Sequence, residues 1–215
     1  MMSVNTWPDL WILRHGETEW NAAGRLQGRL DSRLTRRGEA QARAQGRVLQ
    51  QAGLPEGIEV RVSAAGRARR TADTALAGTD GPVTVDPDLV EVGLGDWQGL
   101  TQSDIRRTYP GFDLASDPHL WKFIGPGCET LPEIVARAHR VLLSLRGPSI
   151  LVTHGVTSRI LRCLLLGLPP ERLSALPGGQ GVVHYISEGS AQILTSEAEA
   201  PKDDQNNSAE GDNDA

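Results

Sequence analysis

Leu10-Trp11-Ile12-Leu13-Arg14-His15-Gly16-Glu17 sets four apolar residues directly before a cation, an imidazole and a glycine. A short apolar run that stops abruptly at polar residues reads as a buried strand delivering its carboxyl end to a loop. The same pattern recurs along the chain. Ile58 to Ser63 leads to Ser63 and Arg67, and Ser149-Ile150-Leu151-Val152-Thr153 leads straight into His154-Gly155. Pro82 to Val85 reads as another strand, and Val182–Ile186 with Ala191–Leu194, separated at Gly189, as a closing hairpin.

Segments of helical period lie between these runs. Thr35 caps a helix whose small face is Ala40, Ala44, Val48 and Ala52, ending at Gly53. A second helix carries Ala68, Ala72, Ala75 and Leu76. Thr130-x-x-Glu133 has the spacing of a capping box and opens a third, with Ile134, Val135, Ala138, Val141, Leu142 and Leu145 on one face. A fourth follows His154 with Val156, Ile160, Leu161, Leu164 and Leu168. Residues 86–129 read as irregular, with one short helix near Gln102–Thr108. Strands alternating with helices predict an α/β fold with a mostly parallel central sheet.

Composition narrows the class of protein. Of 215 residues, 39% are apolar and 23% charged, enough for a sizeable core in a single domain over 1–195. No basic residue precedes Arg14, and no apolar run there suits a signal peptide. The most apolar stretch, Ile160 to Leu168, is interrupted by Arg162 and falls far short of the ~20 residues that span a bilayer. Cys128 and Cys163 form no C-x-x-C pair, which speaks against a disulfide framework and a cysteine zinc site. The expectation is a cytoplasmic protein with no membrane partner. The net charge of −5 is uneven: residues 196–215 hold seven acids and one Lys202, and no Val, Ile, Leu, Met or aromatic. That acidic tail reads as a disordered, solubilising extension. The rest is close to neutral, which gives no support to nucleic acid as a partner. No feature of the sequence bears on oligomeric state.

Three polar clusters share one placement, at the carboxyl ends of the first, second and fourth strands. Ligands of open parallel sheets bind in the crevice outside those ends. Arg14, His15, Ser63, Arg67 and His154 therefore converge on one crevice. Two arginines and two imidazoles describe a site for a doubly charged oxyanion, most simply a phosphate. Gly16 and Gly155, each directly after a histidine, allow the backbone to approach and aim N–H groups at the ligand. A neutral imidazole whose second nitrogen is held by an acceptor is a competent nucleophile toward phosphorus. The constellation suggests phosphoryl transfer through a phosphohistidine.

Leu13-Arg14-His15-Gly16-Glu17-Thr18 with Trp20-Asn21 resembles the nucleophile motif of the histidine phosphatase superfamily, the phosphoglycerate-mutase-like enzymes. Ser63-x-x-x-Arg67-Ala68-x-x-Thr71-Ala72 is similar to that family's second motif, and Glu91 with Gly95-Asp96-Trp97-Gln98-Gly99-Leu100-Thr101 to its acid region. Gly127-Cys128-Glu129-Thr130 and Val152-Thr153-His154-Gly155 complete the family order, over roughly residues 8–187. The resemblance implies a three-layer α/β/α fold and no cofactor or metal. It implies His15 as the phosphorylated nucleophile, with Arg14, Arg67 and His154 holding phosphoryl oxygens and Asn21 adding a contact. Gly155 would line the same phosphate. Glu91 would protonate the leaving oxygen and then take a proton from water, a role that asks for a carboxyl with a raised pKa. His154 is followed by Gly155-Val156 and not by aspartate, which disfavours the acid-phosphatase branch.

Departures from the family pattern are Ala64 in place of proline, Cys128 at a common glycine position and Gln180 near a usual asparagine. Val92-Gly93-Leu94-Gly95-Asp96-Trp97-Gln98-Gly99 after Glu91 looks like the phosphatase branch, where mutases usually have Arg and Tyr-Gly. The reading is a phosphomonoester hydrolase acting on a small phosphorylated metabolite. The alternatives are a cofactor-dependent phosphoglycerate mutase and a non-catalytic pseudoenzyme. Residues 97–123 hold five of the nine aromatics and stand as either a lid over the phosphate site or a satellite core under a long loop. Arg106 and Lys122 in that stretch are candidates for contacting a second anionic group such as a carboxylate. His119, His139 and His184 read as structural, and Arg69 and Arg70 as a solvated helix face.

Overall fold

The computed structural model describes residues 7–112, 114 and 116–196. One six-stranded sheet runs through it, made of β1 (Leu10–Arg14), β2 (Glu59–Ser63), β3 (Val83–Asp86), β4 (Ser149–Thr153), β5 (Val183–Ser187) and β6 (Ser190–Leu194), in the order β3-β2-β4-β1-β5-β6. The first four of that order are parallel, and β5 and β6 close the sheet as an antiparallel hairpin. Each strand lies within one residue of its expected bounds. The acidic tail, apart from Ser196, lies outside the described residues.

The helices are α1 (Glu19–Ala22), α2 (Arg36–Ala52), α3 (Gly66–Ala75), α4 (Gln102–Thr108), α5 (Leu131–Ser144) and α6 (Gly155–Leu165). Strand periodicity splits the core in two, because successive side chains point to opposite faces. Trp11, Leu13, Val60 and Val62 pack with α2 and α3 on one face. Leu10, Ile12 and Leu151 pack with α5 and α6 on the other. The result is a three-layer α/β/α domain.

One expectation is amended here and one open alternative is decided. The buried face of α2 keeps Ala44 and Val48 of the expected stripe but not Ala52, which is exposed, and it also takes in Gln41, Ala42, Gln45 and Leu49. The glutamines are inside because their amides satisfy backbone at the end of β1. Gln45 Nε2 donates to the carbonyls of Arg14 (2.9 Å) and Val182 (3.0 Å), and the Glu17 N–H donates to Gln41 Oε1 (2.8 Å). Of the two readings of residues 97–123, the aromatics follow the core one. Trp97, fully buried, meets Phe112 edge-on at 5.2 Å and Trp121 at 5.7 Å between ring centroids. Ile105, Leu114 and Phe123 join the same apolar cluster, which is continuous with the α5/α6 layer. A polar-looking loop thus buries a large aromatic surface, the dominant favourable term for ordering a segment this irregular.

Register places the chemistry. Arg14 pairs with Thr153 and Val62 with Val152, so the carboxyl ends of β1, β2 and β4 lie side by side.

Candidate active site

His15 leaves β1 at that edge, its backbone N–H bonded to the Thr153 carbonyl (3.0 Å). Its ring is buried, with Nδ1 2.8 Å from the Gly16 carbonyl oxygen. A carbonyl can only accept, so Nδ1 carries the proton and Nε2 the lone pair. Arg67 Nε donates to that Nε2 at 3.3 Å. Burial pushes the His15 imidazole well below its ordinary pKa, and the neighbouring His154, Arg14 and Arg67 push it further the same way. At neutral pH the ring is uncharged, and its Nε2 lone pair accepts from the Arg67 guanidinium.

Arg67 is buried at the start of α3 and is over-determined. Its guanidinium donates to the carbonyls of Leu30 (2.6 Å) and Gly28 (2.8 Å) and to Asp31 Oδ1 (3.1 Å). Gly28 takes a left-handed φ of +54°, which turns the loop so that these carbonyls face inward. Thr71, one turn along α3, accepts the Gly16 N–H (3.1 Å) and so ties the His15 loop to the Arg67 helix.

His154 is the N-cap of α6, fully buried, its ring centroid 5.1 Å from that of His15. Ser63 Oγ lies 2.7 Å from its Nε2. Its Nδ1 and the Nε of Arg14 are buried without a hydrogen-bond partner. Buried polar atoms are almost always satisfied, so two orphans in one cationic cluster mark where a ligand's acceptor oxygens belong. Burial and the nearby arginines hold His154 well below its usual pKa, and burial does the same to Arg14 against the opposing pull of Glu91.

Glu91 sits across the N-terminus of α6. One carboxylate oxygen accepts from the backbone N–H of Val156 (3.1 Å), the other from those of Val92 (3.0 Å) and Thr157 (3.1 Å) and from Thr157 Oγ1 (3.2 Å). Burial raises its pKa, but the three backbone donors and Lys122 outweigh it, and the net shift is downward. The raised carboxyl pKa expected of a proton donor is therefore not found at Glu91. The physical reason is the helix terminus, whose free N–H groups and dipole favour the anion. Thr157 Oγ1 also donates to the Val90 carbonyl (2.7 Å), and Thr153 Oγ1 to that of Leu89 (2.7 Å), which pins the loop carrying Glu91.

Asn21 lies beside the cavity with its Oδ1 taken by the Thr18 N–H (3.3 Å) and Gln180 Nε2 (3.2 Å), which leaves its amide NH2 for a ligand. Gln180 also donates to the His15 carbonyl (3.1 Å), so the residue standing in for the usual asparagine supports both. Gly16 does not aim its N–H at a ligand; that group is bound to Thr71. Its lack of a side chain serves packing, since a Cβ there would run into the backbone of Gly38 in α2. Gly155 does face the site: a Cβ on it would lie 3.4 Å from the Arg14 guanidinium and 3.6 Å from Glu91 Oε2.

Arg14, His15, Asn21, Arg67 and Glu91 line one cavity of about 110 Å3, which Lys122 also lines, with His154 and Gly155 packed against its members. All seven site residues expected from sequence are together. Sequence reasoning placed Ser63 at the crevice and named Thr71 and Gln180 by motif position, but it did not show what they support: Ser63 against His154, Thr71 under the Gly16 N–H, and Gln180 on the His15 carbonyl. Asp31 under Arg67 was missed, because an acid in a loop carries no periodicity to mark its partner. A larger open cavity of about 770 Å3 lies behind the Glu91 loop. Its charges answer one another, with Arg137 on Glu129 (2.7 Å) and Arg140 on Asp88 (2.8 Å), so it offers no free cation of that kind.

The family model described as histidine phosphatase superfamily (branch 1) matches residues 10–193. The chain is 34% identical over 191 residues to a glucosyl-3-phosphoglycerate phosphatase of Mycolicibacterium vanbaalenii, covering 81% of each chain. It is 36% identical over 185 residues to a 2,3-bisphosphoglycerate-dependent phosphoglycerate mutase of a Methylobacterium species, covering 80% of this chain and 86% of that one. Among solved structures, a mycobacterial glucosyl-3-phosphoglycerate phosphatase in complex with VO3 superposes with a TM-score of 0.72 at 32% identity, over 87% of this chain and 97% of the other.

Proposed function

Since the chain belongs to the histidine phosphatase superfamily, branch 1, we propose that it is a metal-independent phosphomonoester hydrolase working through a phosphohistidine on a small phosphorylated metabolite. The observation that carries this reading is the unprotonated Nε2 of His15, which accepts from Arg67 Nε, beside the unpartnered Arg14 Nε and His154 Nδ1. One tetrahedral anion can accept from the two orphan donors and from Arg67 while its phosphorus faces Nε2.

In the first step His15 Nε2 attacks the phosphorus and the ester P–O bond breaks. Arg14, Arg67 and His154 hold the phosphoryl oxygens while charge builds on them, the kind of pre-aimed stabilisation that dominates catalysis. Glu91 gives a proton to the departing alcohol oxygen. In the second step water attacks the phosphohistidine, the N–P bond breaks, and Glu91 takes the water's proton. The α6 N-terminus favours ionised Glu91, but a phosphate dianion seated beside it disfavours a second negative charge and raises its pKa, so the proton arrives with the substrate. Asn21 supplies a further donor to the phosphate, and Gly155 leaves room for it. The positive charge that offsets the dianion comes from the two arginines, so no metal is needed.

Incubation with an aryl phosphate in EDTA tests the reaction. Turnover should persist in the chelator and fall by roughly a thousandfold or more in His15→Ala. Retained activity in that variant would falsify the nucleophile assignment. The mutase alternative is kept by the 36%-identical relative. It requires 3-phosphoglycerate with 2,3-bisphosphoglycerate to yield 2-phosphoglycerate faster than free phosphate, and the hydrolase reading expects the reverse.

A further inference from the structure

Residues 90–93, which carry Glu91, belong to no helix or strand, so side chains must satisfy their backbone and fix its course. Three carbonyls in succession are each taken by a side-chain donor: Asp88 by Arg137 Nη1 (2.6 Å), Leu89 by Thr153 Oγ1 (2.7 Å) and Val90 by Thr157 Oγ1 (2.7 Å). Beyond Glu91, both backbone groups of Gly93 are held by one residue. Its N–H donates to Glu129 Oε2 (3.0 Å), and its carbonyl accepts the Glu129 N–H (2.8 Å).

The two ends of the segment meet in one ion pair. Arg137, in the middle of α5, donates through Nε to Glu129 Oε1 (2.7 Å) and through Nη2 to Glu129 Oε2 (3.1 Å) and Thr157 Oγ1 (3.4 Å). The two side chains are only 5% and 8% exposed, so water does not compete for this bidentate contact. A planar guanidinium can hold a carboxylate, a carbonyl and a hydroxyl in one fixed frame, which a lysine ammonium cannot. Neither residue lines the catalytic cavity. They stand in the wall of the larger cavity behind the loop, and the reaction as described makes no use of them.

The need for such a brace comes from the two protonation states of Glu91. As an anion, its carboxylate is held by charge-assisted bonds from the N–H groups of Val92, Val156 and Thr157. Once protonated, it loses that assistance, and with it roughly half the strength of each bond. The carboxyl is thus held most loosely when it must face the leaving oxygen, and a misplacement of about 1 Å can cost about a hundredfold in rate. We propose that Glu129 and Arg137 are positioning residues for Glu91: their buried pair clamps Asp88 and Gly93 on either side of it and keeps the carboxyl in place while it carries the proton. This rests on the hydrolase reading above.

Leaving-group dependence tests the clamp. Arg137→Lys keeps a cation against Glu129 and gives up the planar contacts. Its kcat/KM should fall by roughly tenfold to a hundredfold for glycerol 2-phosphate and by less than about threefold for 4-nitrophenyl phosphate, whose leaving oxygen needs little help from an acid. Inhibition by inorganic phosphate should be kept. Glu129→Leu combined with Arg137→Met removes both charges together, which a fold tolerates better than the loss of one partner, and should show the same selective loss. In Glu91→Gln, which has no proton to aim, adding Arg137→Lys should cost nothing more on glycerol 2-phosphate. A pair that serves stability alone would slow both substrates alike and would go on doing so in Glu91→Gln. Either result, or full activity of Arg137→Lys on both substrates, would overturn the assignment. Turnover of 4-nitrophenyl phosphate that depends on His15 separates the two readings: if it is present and the selective loss absent, the clamp fails alone, and if it is absent both fail.

Discussion

Glu91 carries the most at the scale of single residues, because its environment and its proposed duty pull in opposite directions. Three backbone N–H groups favour its ionised form, and the reaction needs it to deliver a proton. Glu91→Gln keeps the shape and the phosphate-binding groups but removes both proton transfers. Steady-state kcat should fall by on the order of a hundredfold to ten-thousandfold, with inhibition by inorganic phosphate largely kept. The loss should be smaller for an aryl phosphate, whose leaving oxygen needs less help. Unchanged turnover on an alkyl phosphate would move the acid to another group. Glu91 was legible as a candidate only through motif position, since an acid in a loop has no periodicity to mark it. The direction of its pKa depends on α6, which lies some 65 residues away in sequence.

Elements are joined at the site by backbone contacts that leave no space for a side chain. Gly38 in the first turn of α2 lies against the Glu17 carbonyl, and Gly16 against Gly38 itself. This close approach lets Gln41 and Gln45 reach the end of β1 and fixes the loop that carries His15. Gly38→Ala should therefore act at a distance. The added methyl must displace α2, costing about 1–3 kcal/mol as other overpacking does, and kcat should fall together with the urea midpoint. A variant of wild-type stability and activity would show that the loop tolerates the shift. The sequence marked the start of α2 through Thr35, whose Oγ1 does accept the Gly38 N–H (3.0 Å). It showed only part of the helix's buried face, Ala44 and Val48, because the burial of Gln41 and Gln45 depends on backbone groups distant in sequence.

Across the whole molecule, several histidines are buried in their neutral form, which links stability to pH. His184 is held at about 3 by burial and by Arg162, whose Nη1 lies 3.3 Å from its Nδ1. Its folded pKa is thus below the unfolded value of about 6.5, and His15 and His154 are shifted the same way. The unfolded chain takes up protons that the folded one refuses. The stability these residues contribute is complete above pH ~6.5 and is lost as pH falls toward the folded pKa, at up to ~1.4 kcal/mol per pH unit for each. Urea midpoints measured from pH 8 to pH 5 should be flat and then drop, with a shallower drop in His184→Asn. A flat profile to pH 5 would mean that these rings are protonated in the folded protein.

By itself the sequence determined the alternation of strands and helices, and with it the edge of the sheet where Arg14, His15, Arg67 and His154 had to meet. Those features follow from local period and from which residue ends each strand, both properties of neighbours in the chain. Tertiary structure alone decided the tautomer of His15, the anchoring of Arg67 by Asp31, the ionisation of Glu91 and the burial of the aromatic loop. Each of these depends on the field and the hydrogen bonds of groups distant in sequence, and the strength of both is set by how far folding excludes water.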